Sequence, residues 1–159
     1  MAYLSMAAWW QDVYKRQVTV SQVVDMVAEY FKRRGLDVEG HTVDATEGYG
    51  WWLTEGSAKI YIFVQEERTG PVIRVNSPIL HFPDTNREAF FLKLLEINRD
   101  LTYCCVAVFD EVVIVSGQRP ILGLDQEELN DLVWNVSYVA DTLDDELAKE
   151  FTARLFTQY

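Results

Sequence analysis

Groups that carry out chemistry are scarce in this chain. Two histidines, His41 and His81, and two cysteines, Cys104 and Cys105, are all that 159 residues offer for nucleophilic, redox or soft-metal work. No HExxH, CxxC, GxSxG or glycine-rich phosphate loop occurs, so no catalytic residue, metal ligand or cofactor is expected. Each histidine reads as solvated or as satisfied within the core. Adjacent cysteines on a strand point to opposite faces, which excludes a simple bridge, and at least one reads as a buried thiol. Basic charge is also in deficit. Fourteen Lys and Arg stand against 25 Asp and Glu, a net charge of −11 with no basic cluster, and such a surface repels phosphate backbones, which excludes nucleic acid as a partner. No apolar run reaches the roughly 18 residues that cross a bilayer, so no membrane partner is expected. A short apolar run closed by Asp12, with no basic residue ahead of it, is a poor secretory signal, and a cytoplasmic protein is expected.

What the chain does have is apolar surface at regular spacing. Nearly half its residues are apolar (49%), and a chain of this length buries roughly 70% of its unfolded surface, enough for one domain without disulfide or metal. Residues 1–17 fit no period and read as an extension, either non-native or disordered sequence or a genuine amphipathic segment; 18–159 read as the single domain. Thr19 and Gln22 form a capping box, Val18 and Val23 a hydrophobic staple, and Val20, Val23, Val24, Val27, Tyr30 and Phe31 one helical face ending at Gly35. After a loop at 36–48, with a short strand expected near Val38 or Val43, three strands follow: Tyr49–Leu53, Ala58–Gln65 and Val72–Phe82. Turns at Glu55-Gly56 and at 66–70 separate them. Pro78 lacks an N–H, which predicts an edge strand or a bulge there. Thr85 and Glu88 predict a second capping box, opening an amphipathic helix through Phe90, Phe91, Leu94, Leu95 and Ile97. A hairpin of Tyr103–Phe109 and Val112–Ser116 turns at Asp110-Glu111, and 117–123 read as a loop. Asp125 and Glu128 cap a last helix in which a break or frayed end is expected near Asp144-Asp145. The order is α-β-β-β-α-β-β-α, an α+β fold with an antiparallel sheet and helices packed on one face.

Two surfaces invite a partner. A two-residue turn at Glu55-Gly56 pairs Leu53 with Ala58, Trp51 with Ile60 and Tyr49 with Ile62, which gathers the aliphatic residues and Tyr49 on a core face. Trp52, Lys59, Tyr61, Phe63 and Gln65 fall on the other side. Aromatic anchors in a polar frame suit a docking patch, although the extension, the 36–48 loop or a second subunit could equally cover them. The acidic residues of the last helix read as a solvated face, since the spacing and central glycine of a calcium loop are absent.

The element order, together with Trp51-Trp52-Leu53, Ser77-Pro78-Ile79-Leu80, Leu94-Leu95-Glu96-Ile97-Asn98, the Asp110-Glu111 hairpin, and Gly123-Leu124-Asp125 followed by Ala140-Asp141, resembles the YbjN-like family. That family has the fold of the class I type III secretion chaperones, and the resemblance covers residues 18–151. It implies a non-enzymatic bacterial domain, regulatory or chaperone-like, without cofactor. It also implies a homodimer and a polypeptide partner held in extended form. The residues expected to make that contact are Trp52, Tyr61 and Phe63 on the sheet, with Phe90 and Leu94 on the second helix. The alternative is a small-molecule-responsive sensory domain with a pocket between sheet and long helix lined by Trp134 and Tyr138.

Overall fold

A computed structural model describes residues 17–156; apart from Gln17, the extension expected at 1–17 lies outside them. The first helix, α1 (Val20–Arg33), starts where the capping box places it. Thr19 Oγ1 accepts from the Gln22 N–H at 3.2 Å, and Gln22 Oε1 accepts from the Thr19 N–H at 2.9 Å. In the loop that follows, Glu39–His41 form one 3₁₀ turn, and Thr42 and Val43 lie against the next strand through a bridge to Trp51 and a 2.9 Å bond from the Val43 N–H to the Gly50 carbonyl.

The meander is β1 (Tyr49–Glu55), β2 (Ala58–Glu67) and β3 (Gly70–His81). Its first turn sits one residue later than expected. Gly56, at φ 60°, and Ser57 form it, so Glu55 pairs with Ala58 and Leu53 with Ile60. Each strand residue therefore meets a partner two positions further along, and because side chains alternate with period two, the face assignment survives. Tyr49 is the exception. At the strand's start it stacks on Trp51 at 6.1 Å and is 49% exposed, beyond the reach of the covering helices.

The remaining elements are α2 (Arg87–Asp100), β4 (Cys105–Phe109), β5 (Val112–Pro120) and α3 (Gln126–Phe151). The sheet is antiparallel in the order β1-β2-β3-β5-β4, which makes β3 central and not an edge. Pro78 is accommodated by a bulge at Ile79, between the Pro78–Ile114 and Leu80–Val113 pairs. The loop expected from Gly117 is instead strand. A Cβ there would lie 2.8 Å from Leu132 Cδ1 and 3.0 Å from Val136 Cγ2, so Gly117 is where α3 comes down onto β5.

One sheet face carries Leu53, Ile60, Ile62, Val75, Val113 and Val115, all buried against Val27 and Phe31 of α1 and Leu129, Val133, Val136 and Ala140 of α3. Side chains of this size contribute about 1.5–3 kcal/mol each when fully buried. Leu143 and Leu147 continue the buried stripe of α3 through Asp144-Asp145, and the helix is unbroken there. Not every helix lies on that face: α2 stands against the β4 edge. Asn98 of α2 donates from Nδ2 to the Val106 carbonyl at 2.9 Å and accepts from the Val106 N–H at 2.7 Å. The second capping box does not form. The N-cap is Asn86, in the left-handed region at φ 58°, and its side chain makes no cap; Arg87 reaches back to the Pro83 carbonyl instead. The helix is also less amphipathic than expected, since Phe90 and Leu94 are buried while Leu92 and Leu95 face outward.

Candidate functional site

The sheet face opposite α1 and α3 carries no helix among the described residues and, away from the 36–48 loop at its β1 end, presents ordered rows. Strand pairing aligns Tyr61, Asn76, Ser116 and Cys105 in one rung, Phe63, Arg74 and Gln118 in the next, and Pro78, Ile114 and Ala107 in a third. Together with Phe109 and Phe156 they line an open groove of about 830 Å³. The wall on β2 is aromatic: the Tyr61 and Phe63 rings stack at 6.4 Å with their planes 6° apart. The floor is polar, with Arg74 Nε donating to Gln118 Oε1 at 2.8 Å and Ser116 Oγ donating to Asn76 Oδ1 at 2.7 Å. Ile114, Ala107 and Phe109 make the far side apolar, and the Phe109 ring is 67% exposed. A surface of this kind can stack or bury alternate side chains of an extended chain while its amides and guanidinium bond the polar groups between them.

The expected contact residues separate. Tyr61 and Phe63 lie in the groove wall. Trp52 lies beside it, half-buried under the His41 ring at 4.9 Å and with Lys59 Nζ 4.6 Å from its ring centre, so the 36–48 loop covers this one aromatic. Phe90 and Leu94 are core, with Phe90 packed on Phe82, Phe91 and Phe151. Trp134 and Tyr138 stack at 5.2 Å on the outer side of α3, each more than half exposed, and therefore line no pocket between helix and sheet. Neither cysteine is fully buried: Cys104 is half-buried, its thiol pushed up by burial and by its neighbour, and Cys105 is exposed on the open face. Arg74, Asn76, Ser116, Gln118 and Phe109 are groove residues that the sequence reading missed. Alternation within β3 and β5 was available as a signal, but the pairing of those two strands across 30 intervening residues was not.

A second recess, of about 380 Å³, lies where β2 and β3 part. Ser57, Ala58 and Lys59 form one side, Pro78 and Ile79 the other, and Asp144, Leu155 and Phe156 close it. Burial holds the Asp144 carboxyl above the usual carboxylate range. Among the described residues no group of three or more His, Cys, Asp or Glu is placed to hold a metal, and no helix is long and apolar enough to cross a membrane.

The fold is thus an α+β domain with one sheet face left open. The family model described as T3SS (YopN, CesT) and YbjN peptide-binding chaperone 1 matches residues 21–158, and the chain belongs to that family. Among solved structures, a chain of the crystal structure of the ExsC–ExsE complex is similar in fold, with a TM-score of 0.64 and 18% identity over 80% of this chain and 95% of that one. No curated protein matches.

Proposed function

We propose that this protein is a non-enzymatic, chaperone-like or regulatory binding domain that holds an extended polypeptide segment across the open sheet face. The observation that carries this is the uncovered groove walled by the stacked Tyr61 and Phe63. Family membership supports the class of ligand. With a net charge of −11 over the molecule, partners with basic residues flanking an apolar stretch are favoured, and nucleic acid is not. Self-association belongs to the same reading. Leu92 and Leu95, neighbours at i and i+3 on α2, are 57% and 68% exposed, and Tyr103 ahead of β4 is also exposed, apolar surface of the kind that marks an interface.

The test is selection of phage-displayed random heptapeptides on the immobilised protein, followed by titration of an enriched peptide. Alternating apolar residues should be enriched, and Phe63→Ala should weaken binding by about 2 kcal/mol, roughly thirtyfold in Kd, with the melting temperature unchanged. Trp52→Ala, under its His41 lid, should instead lower stability and leave Kd nearly as it was. Enriched peptides that bind the Phe63→Ala protein as tightly as the wild type would place the ligand elsewhere.

A further inference from the structure

We propose that the Ile79–His81 stretch of β3 is a strand-addition site for the client segment, and that the chain's own residues 153–156 occupy it until a client displaces them. This rests on the peptide-binding reading above and adds a second recognition site with a resident competitor.

The site follows from Pro78. Pairing between β2 and β3 stops at Tyr61 opposite Asn76, although β2 begins at Ala58 and β3 continues to His81. Pro78 has no N–H to donate, and the bulge at Ile79 turns the strand, so the last residues of β3 leave β2 while remaining paired with β5 on their other side. The main-chain groups of Ile79 and His81 on that side are thereby without a β2 partner: carried on, the register would set Ala58, where β2 begins, opposite Ile79 and leave His81 beyond it.

After α3 the chain reverses at Thr152, at φ 52°, and comes back to supply those bonds. The Phe156 N–H donates to the Ile79 carbonyl at 2.9 Å, and the His81 N–H donates to the Arg154 carbonyl at 2.8 Å. Leu80 and Leu155 face each other between them as a non-hydrogen-bonded antiparallel pair, flanked by the two bonds. Phe156 lies 5.6 Å from the His81 ring. Among the described residues two main-chain bonds join the occupant to β3 and a third runs from the Ala153 N–H to the Ala148 carbonyl; Leu155 is 36% exposed, and the recess on its β2 side remains open.

Phe156 lines both this recess and the groove of the open face. A polypeptide lying along Tyr61 and Phe63 and continuing toward the end of β3 therefore runs into it. The chemistry that fits the slot is that of its resident: an extended, antiparallel segment with an aliphatic residue opposite Leu80 followed directly by an aromatic one over His81. A filled slot lowers apparent client affinity by the fraction of time it is filled.

The experiment uses the full chain, its Phe156→Pro variant, which removes the N–H bonded to Ile79, and a Leu155→Asp variant that keeps every backbone donor. The probe is a fluorescein-labelled peptide with the sequence of residues 152–159. Both variants should bind it at least about tenfold more tightly than the wild type. By NMR the His81 amide, protected in the wild type, should exchange quickly in the variants and regain protection when the peptide is added. Equal affinity in all three proteins, no binding to either variant, or a His81 amide still protected in both variants would overturn the proposal. Loss of heptapeptide binding on Phe63→Ala reports on the groove, and gain of tail-peptide binding on Phe156→Pro and Leu155→Asp reports on the slot, so failure of the groove and failure of the slot give different results.

Discussion

Ser77 is fully buried on the core side of the central strand, and its Oγ has no hydrogen-bond partner among the described residues. A hydroxyl in that position loses water without recovering a bond, at a cost of about 1–3 kcal/mol. Ser77→Ala should therefore raise stability by about 1 kcal/mol, an increase in melting temperature of about 3 °C in a chain of this size. A drop in denaturant midpoint would show that the oxygen does find a partner. Residue-scale features were legible where one period governs. Alternation along β2 assigned Tyr61 and Phe63 to the open face even with the turn misplaced, because the error was an even number of positions. Legibility failed in α2, where Phe90, Phe91, Leu92, Leu94 and Leu95 are apolar on several sides at once. Periodicity could not tell that Phe90 and Leu94 turn inward and Leu92 and Leu95 outward; the position of the β4 edge decides it.

Among elements, the junction of α2 and β4 is the most specific. β4 ends the sheet, and an end strand offers unpaired N–H and C=O groups to any passing chain. Asn98 occupies one such pair at Val106 with both halves of its side-chain amide. Replacing it with alanine should cost about 1–2 kcal/mol and raise the rate of aggregation, read by light scattering at a temperature where both proteins remain folded. An Asn98→Ala protein as resistant to aggregation as the wild type would mean that α2 shields the edge without it. The starts of α1 and α3 were legible because capping boxes are local in sequence. The start of α2 was not, since Asn86 in a left-handed conformation and a contact from Arg87 to Pro83 leave no comparable pattern. The expected break at Asp144-Asp145 failed for a related reason: charge there marks the exposed side, while Leu143 and Leu147 carry the helix past it.

For the whole molecule, the order β1-β2-β3-β5-β4 does what local signals cannot reveal. It brings β5 beside β3 and so assembles the groove from two hairpins distant in the chain. The outward residues Leu92 and Leu95 of α2 remain without a partner among the described residues. A Leu95→Glu substitution should shift the protein from dimer to monomer in sedimentation velocity while changing stability by no more than about 0.5 kcal/mol, as for ordinary surface substitutions. Wild-type protein that sediments as a monomer at high concentration would remove this patch from the account.

Sheets usually recruit foreign chains at their rims, where nothing limits how many copies join. Here the loop at Thr42-Val43 lies along one rim and Asn98 interrupts the other, while Pro78 opens a berth between two interior strands. An interior berth is finite. On the proposal above it admits one guest a few residues long, in exchange for residues 153–156, and is then full, so the protein would gain the adhesiveness of an unpaired strand without the tendency to grow into a fibre.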